Sequence, residues 1–217
     1  MRLVLLGPPG VGKGTQAERI RRTVAVPHLS TGHMLREAVR CGTETGRKAK
    51  AILERGELVP DTVVGELIAE RLASPEAAGG FLLDGYPRNI AQVATLDGIL
   101  ARMGIGLDRV INLFVPDEEV LLRLTLRRSC PSCGAIYHLS FRPPAREGVC
   151  DACAGKLEQR SDDREEVVRA RLGVYREQTL PVAEIYRKRV ILVEVDGTGS
   201  ADDVAGRVAR ALRDVAA

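Results

Sequence analysis

The sequence predicts an α/β fold: a five-stranded parallel sheet, doubly wound, with helices on both faces. Three observations predict it. Short apolar runs at 2–6, 27–29, 79–84, 109–115 and 190–195 alternate with segments of helical periodicity, the pattern of parallel strands joined by right-handed crossovers. The first run breaks into a glycine-rich turn carrying one lysine and passes at once into a helix. Two stretches interrupt the alternation, a helical insertion at 30–59 and a Pro- and Gly-rich module at about 129–158 bracketed by cysteines.

Composition narrows the class. A chain of 217 residues suits one compact domain, or one domain with insertions. Hydrophobic residues make up 45% and charged residues 28%, ordinary values for a globular protein. Aromatics are only 3% and Trp is absent, so the core must be aliphatic. The net charge is +3 and the arginines are spread along the chain, which argues against a nucleic-acid stripe. No apolar run approaches the length needed to span a membrane. The first apolar stretch is a five-residue strand leading into the turn, not the layout of a signal peptide. The expected compartment is therefore the cytoplasm, where clustered cysteines hold metal more readily than they form disulfides.

Taken in order, residues 2–6 form the first strand, and the turn after it reads GPPGVGKGT at 7–15. Glycines let backbone N–H groups turn toward an anion. The helix that follows, 13–24, presents its unpaired N–H groups and positive dipole end to the same anion. The contacts expected are Gly10, Val11, Gly12, Lys13, Gly14 and Thr15, with Lys13 reaching the terminal phosphates. The spacing fits a phosphate loop, except that Gly14 follows the lysine and the Thr15 hydroxyl comes one residue late. The fold is thus expected to be a P-loop nucleotide-binding fold.

A short strand at 27–29 leads to Ser30 or Thr31 as cap of a helix at 33–40, with another helix at 44–54. Gly56-Glu57-Leu58-Val59-Pro60 ends it. Asp61 reads as the cap of a helix reaching residue 73. A buried strand at 79–84 ends in Asp84, followed by the turn Gly85-Tyr86-Pro87-Arg88 and a helix at 90–103. The strand at 109–115 precedes a helix at 117–128 headed by Pro116. Asp162 with Glu165 three residues on reads as a capping box for a long helix. The strand at 190–195 leads through Asp196-Gly197-Thr198-Gly199 to a final helix at 201–212. Ligands of such sheets bind at the carboxyl ends of the strands, where the glycine loop, Asp84 and Gly199 all fall.

The second strong signal is Cys130-x2-Cys133, sixteen residues, then Cys150-x2-Cys153, the spacing of a tetrahedral zinc site. Four protein thiolates close the shell, so the metal would be structural, holding a segment too small to build its own core. Tetrahedral iron is the minor alternative. The third signal is arginine placement. Arg123 and Arg127, four apart, read as one helical face pointing toward the cysteine module. Arg160 and Arg171 flank its exit, and Arg36 and Arg88 lie beside the insertion and the Asp84 strand. Guanidinium forks suit phosphoryl oxygens. Asp84 is the natural anchor for hydrated Mg2+, through water.

These residues resemble the adenylate kinase family, in its bacterial form with a zinc-bearing lid. The resemblance covers essentially the whole chain. It rests on GPPGVGKGTQ at 7–16, STGHMLR at 30–36, GFLLDGYPR at 80–88, VPDE at 115–118, residues 160–163 and VDGT at 195–198. It implies transfer of the terminal phosphoryl group of Mg-ATP to AMP, giving two ADP, by a monomer. It implies a core of 1–29, 60–125 and 164–217, an AMP-binding insertion at 30–59 and a zinc lid at 126–163. By the same resemblance Thr31, Gln92 and the backbone of Glu57, Leu58, Val59, Gly85, Tyr86 and Pro87 would meet the AMP base and ribose. Arg36 and Arg88 would meet its phosphate. Arg123, Ile136, Tyr137 and Gly199 would surround the ATP adenine. Arg127, Arg160 and Arg171 would close on the phosphates, held by Asp162 and Asp163. Lys13, Arg88, Arg127, Arg160 and Arg171 would be the catalytic residues. His33 stands where the family usually carries an aspartate near Mg2+, so a weaker Mg2+ dependence or a raised Mg2+ requirement is expected. A UMP/CMP kinase shares the cradle, but Thr31 and Gln92 favour adenine. A zinc-ribbon nucleic-acid-binding protein driven by NTP is a remoter reading, opposed by the lack of a dense basic patch.

Overall fold

Strand β1 (Arg2–Leu6) sits at the centre of the sheet, and its alternation sorts the core. Leu3 and Leu5 point into one hydrophobic cluster, Val4 and Leu6 into the other, as period-2 geometry requires of a strand covered on both faces. The structure is a computed structural model. It describes residues 1–55 and 57–213. Gly56, read above as part of the segment that ends a helix, and residues 214–217, the tail of the expected core, lie outside the described residues. So does the side chain of Thr45.

The chain runs β1, α1 (Lys13–Val24), β2 (His28–Ser30), α2 (Thr31–Arg40), α3 (Glu44–Glu54), α4 (Asp61–Leu72), β3 (Phe81–Asp84) and α5 (Ile90–Arg102). It continues through β4 (Arg109–Phe114), α6 (Asp117–Thr125), β5 (Arg127–Ser129) and β6 (Ile136–His138). It ends with α7 (Glu165–Val174), a π turn (Tyr175–Thr179), α8 (Leu180–Lys188), β7 (Leu192–Asp196) and α9 (Ala201–Arg213). The main sheet is parallel, in the order β2-β3-β1-β4-β7. One cluster packs Ile20 of α1, Val168 and Leu172 of α7 and Val204 and Val208 of α9 onto the sheet. The other packs Ile68 of α4, Leu96 of α5 and Tyr186 of α8. Register brings the strand ends level: Leu5 and Ser30 both pair with Asp84. The loops after β1, β2 and β3 therefore open on one edge.

Helix α2 packs closely on α3, and Gly46 makes this possible. A Cβ there would lie 2.0 Å from the Ala38 carbonyl oxygen, so no larger residue fits without separating the two helices.

Several sequence expectations are corrected. Helix α6 stops at Thr125, because the chain turns into β5, which pairs antiparallel with β6. Arg123 is therefore helical and Arg127 lies on a strand, so the two do not share one helical face. Asp162 is not a helix cap. It lies in a 3-10 turn (Ser161–Asp163), and α7 starts at Glu165 behind Arg164 with no side-chain cap. The reason is competition: arginines take both carboxylates of this turn, as described below. Asp61 is the first residue of α4 and not its cap. Ser30 occupies the N-cap position of α2, as expected, but its side chain makes no capping hydrogen bond, and the helix begins two residues earlier than its periodicity suggests. The long helix after the module is interrupted by the π turn. β2 and β7 are each shifted from their expected bounds, β7 because Val190 is left-handed at φ 61.

Candidate active site

The glycine loop works as its chemistry requires. Gly7, Gly10 and Gly12 have φ of 136, 76 and 101, a region that costs other residues dearly. A Cβ on Gly7 would stand 2.4 Å from the Leu113 carbonyl oxygen. Gly12 precedes α1 with no side chain capping it and no acid in the first turn. The first N–H groups of α1 are thus left for an anion. Gly14 faces open space and Thr15 is exposed. Lys13 curls back over the loop, its Nζ donating to the carbonyls of Gly7 at 2.7 Å and Pro8 at 2.8 Å.

Around Lys13 the fold gathers Arg36, Arg88, Arg127, Arg160 and Arg171. Burial lowers the Lys13 ammonium to about 8; Asp84 opposes this, while Arg88, Arg171 and Arg127 add to it. Burial and then Arg171 bring Arg88 down to about 10. Burial and then Arg127 and Arg36 bring Arg160 to about 9. Arg36 and Arg171 are lowered by the same two causes. The acids that face these cations are fewer. Arg127 forks onto Asp163, Nε to Oδ2 at 2.8 Å and Nη2 to Oδ1 at 2.6 Å, and the Asp163 residue is wholly buried. Arg171 reaches the Asp162 carboxylate at 3.1 Å and its carbonyl at 2.8 Å. Burial alone would raise the Asp162 carboxyl, but Arg171, Arg36 and Arg127 hold it below its ordinary value. Six cations face three carboxylates, Asp84, Asp162 and Asp163, so the neighbourhood carries an uncompensated positive charge.

Beside this cluster lies a cleft lined by Thr31, Gly32, Leu35, Arg36, Leu53, Glu57, Leu58, Val59, Val64, Gly85, Arg88, Gln92, Asp162 and Arg171. Its polar groups are oriented from behind. The Thr31 hydroxyl donates to the Gly85 carbonyl at 2.8 Å. Gln92 accepts from the Arg88 N–H at 2.7 Å and donates to Asp61 at 2.7 Å, leaving one amide N–H uncommitted. Tyr86 differs: its ring is fully buried with Val4 and Ile68 in the core, so only its backbone stands near the cleft. Pro87 follows it through a cis peptide bond.

On the other side of the loop, Arg123 donates to the Val11 carbonyl at 3.1 Å and the Gly197 carbonyl at 2.9 Å, and pairs with Glu119. Gly199 closes the turn after β7 at φ 90. Arg207 of α9 pins that turn through the carbonyls of Asp196 at 2.8 Å and Thr198 at 2.7 Å. In β6, Ile136 is exposed and Tyr137 is buried. Burial first, then Arg123 and Arg127, hold the next residue, His138, below the ordinary imidazole value, which places β6 in the same electrostatic neighbourhood as Arg123.

Two groups of these residues have the donors to hold a metal ion. The Sγ atoms of Cys130, Cys133, Cys150 and Cys153 lie within 4.8 Å of one another, with 130–153 at 3.4 Å and 133–150 at 3.5 Å. Tetrahedral zinc with bonds of about 2.3 Å needs sulfurs about 3.8 Å apart, so the donor set fits. Each pair is followed by a left-handed residue, Gly134 at φ 76 and Ala154 at φ 57, whose N–H bonds back to the carbonyl of the first cysteine. No histidine joins this group among the described residues. Asp84 suits a hydrated Mg2+: it is a buried carboxylate at the strand edge beside Lys13. Burial would raise its carboxyl, but the His28 hydrogen bond at 3.2 Å and the Lys13 charge hold it below the ordinary value.

Sequence reasoning missed His28, Asp61, Asn89 and Thr179. His28 could have been found from register, since it lies two residues before Ser30, the partner of Asp84, and so on the same face. Asp61 takes hydrogen bonds from Asn89 at 3.0 Å and from Gln92. No sequence signal marks that convergence.

A model of the adenylate kinase family matches residues 5–191. An adenylate kinase of Archaeoglobus fulgidus is 52% identical over 204 residues, 94% of both chains. That of Carboxydothermus hydrogenoformans is 52% identical over 213 residues, 98% of this chain and all of its own. That of Methanocella arvoryzae is 49% identical over the full length of both. The chain belongs to the adenylate kinase family. Adenylate kinases are phosphotransferases, and the P-loop sheet, flanking helices and four-cysteine cluster described above agree with that class. No described helix is long and apolar enough to cross a membrane.

Proposed function

We propose that the chain transfers the terminal phosphoryl group of Mg-ATP reversibly to AMP, giving two ADP. One observation carries this reading: six half-buried cations converge between a phosphate loop and a second cleft. A single-nucleotide protein has no need of the second cleft. ATP lies with its phosphates on the 10–15 loop and Lys13, and its base between Arg123, Ile136, Tyr137 and Gly199. AMP occupies the Thr31–Gln92 cleft with its phosphate on Arg36 and Arg88. Residues 30–59 form the AMP lobe and 126–163 the zinc lid.

Phosphoryl transfer asks little covalent chemistry of the protein, so catalysis is positioning and charge stabilisation. The loop N–H groups, Lys13, Arg88, Arg127, Arg160 and Arg171 take up charge on the oxygens of the group in flight, while Asp84 would hold Mg2+ through water. When bound, Mg2+ supplies further neutralisation of the phosphates. The AMP phosphate is already a nucleophile at neutral pH, so no general base is required. Closure of the lid and the lobe excludes water. Asp162, which lines the cleft together with Leu58 and Arg36, supports this reading. Zinc bound by Cys130, Cys133, Cys150 and Cys153 is structural.

The test is a panel of AMP, UMP and CMP with Mg-ATP, read as diphosphate formed. AMP should be the preferred acceptor by a wide margin. Equal turnover of UMP or CMP would replace AMP by a pyrimidine acceptor, and no diphosphate from any of them would end the reading. A Mg2+ titration of His33→Asp belongs in the same assay, with a lowered Mg2+ requirement expected.

A further inference from the structure

The helix that leaves the cysteine module carries a device the reaction above does not use. Between α7 and α8 the chain widens into the π turn, where the Leu180 N–H reaches back five residues to the Tyr175 carbonyl. Pro181 follows and has no N–H to offer, so a plain α-helical ladder is already broken there. A π turn fits one additional residue into a continuous helix, and π turns occur often at functional sites. Everything after it is rotated by about 100° relative to an uninterrupted α-helix. Thr179 is the last residue of that turn.

A helical threonine ordinarily bonds back to a carbonyl one turn earlier. Thr179 does not. It is buried, and its hydroxyl donates at 2.8 Å to the carbonyl of Arg88, 91 residues away in sequence. Arg88 is thereby held at three points: its N–H by Gln92 at 2.7 Å, its carbonyl by Thr179, and its Nε–H by the Gly85 carbonyl at 2.7 Å. The two Nη groups are left to meet an anion. Thr179 itself does not line the cleft, so it touches no substrate.

We propose that Thr179, set facing Arg88 by the π turn, is a positioning residue that aims the Arg88 guanidinium at the acceptor phosphate. The proposal rests on the AMP reading above for the identity of that phosphate. Thr179→Val keeps the branched shape and removes only the donor. A misplacement of the guanidinium by about an ångström can cost up to about a hundredfold. The expected result is a fall of roughly ten- to a hundredfold in kcat/KM for AMP, with KM for ATP unchanged. Thr179→Ser, which restores the hydroxyl, should recover most of it. If the valine variant does not fold, Thr179→Ala removes the same donor without the bulk.

A second readout needs no nucleotide. In the free protein the Arg88 Nε–H resonance, assigned by its loss in Arg88→Lys, should be protected in the wild type, move toward solvent values in Thr179→Val and return in Thr179→Ser. An unchanged resonance together with unchanged AMP kinetics would overturn the proposal. So would an equal fall for ATP and AMP that serine does not rescue, the mark of a merely structural threonine. A wild type that phosphorylates no monophosphate would sink the functional reading, while the resonance would still decide the role of Thr179.

Discussion

Lys13 is half-buried among arginines with its ammonium folded onto two loop carbonyls. Its proton is lost in the free protein near pH 8, far below the ordinary 10.5. A folded value lowered in this way means that both folded and unfolded chains carry the charge below pH 8, and its burial then costs stability in full. Between about 8 and 10.5 the unfolded chain binds more protons, so this cost is relieved as pH rises. Binding has the opposite sense, because phosphate needs the charged form. kcat/KM for ATP should fall as pH rises through about 8. In Lys13→Arg, which stays charged, that limb should vanish, and its survival would assign the limb to another group. Lys13→Ala should lose roughly 100- to 1000-fold in turnover, on the scale of other lost charge-stabilising donors. Its melting temperature should hold, since the deletion also removes a buried charge.

At the scale of elements, the cysteine module is the weakest unit. Its apolar core is no more than Cys130, Tyr137, Cys150 and Leu157 with Ala135 against them, too little to order some thirty residues without a staple. Tyr137 ties the core to the cysteine loops, taking the Asp151 N–H at 2.8 Å and lying 3.5 Å from the Cys150 sulfur. Removing zinc with a chelator should therefore unfold this module first. Proteolysis should cut within 129–158 while the far-ultraviolet signal of the sheet and helices remains, and uniform loss of structure would contradict the division. Ala154 sits left-handed where Gly134 occupies the matching place. Ala154→Gly should stabilise the metal-loaded protein by about 1 kcal/mol, read from its melting curve.

At the scale of the whole molecule, the parallel sheet brings distant segments to one edge and leaves them in electrostatic debt. Cations from residues 13, 36, 88, 127, 160 and 171 repel one another across the cleft, and a polyphosphate relieves them. ATP at about a hundred times its dissociation constant should stabilise the fold by about 2.7 kcal/mol, a rise in Tm of roughly 5–10 °C for a chain of this size. Adenosine, which carries no phosphate, should give far less. Equal shifts from both would mean that the base, not the charge, dominates binding.

The alternation of strands and helices, the glycine loop with Lys13, the four cysteines and the resemblance to adenylate kinases were all legible before folding was considered, because each is written in short stretches of chain. Period, turn chemistry and ligand spacing are local properties. The Arg123 and Arg127 pairing failed for the same reason: helical periodicity cannot anticipate that β6, ten residues on, will recruit Arg127 into a ladder. The capping reading of Asp162 failed because Arg171 claims its carboxylate from the next helix. That His28 holds Asp84, that Asp61 steadies Gln92 and that Thr179 reaches Arg88 emerges from the folded chain alone. Those contacts depend on sheet register and on one widened helical turn, which no short stretch of the chain encodes. The loop of the first fifteen residues needed no partner to be read, but the positive charge gathered beside it comes from five arginines that only folding assembles.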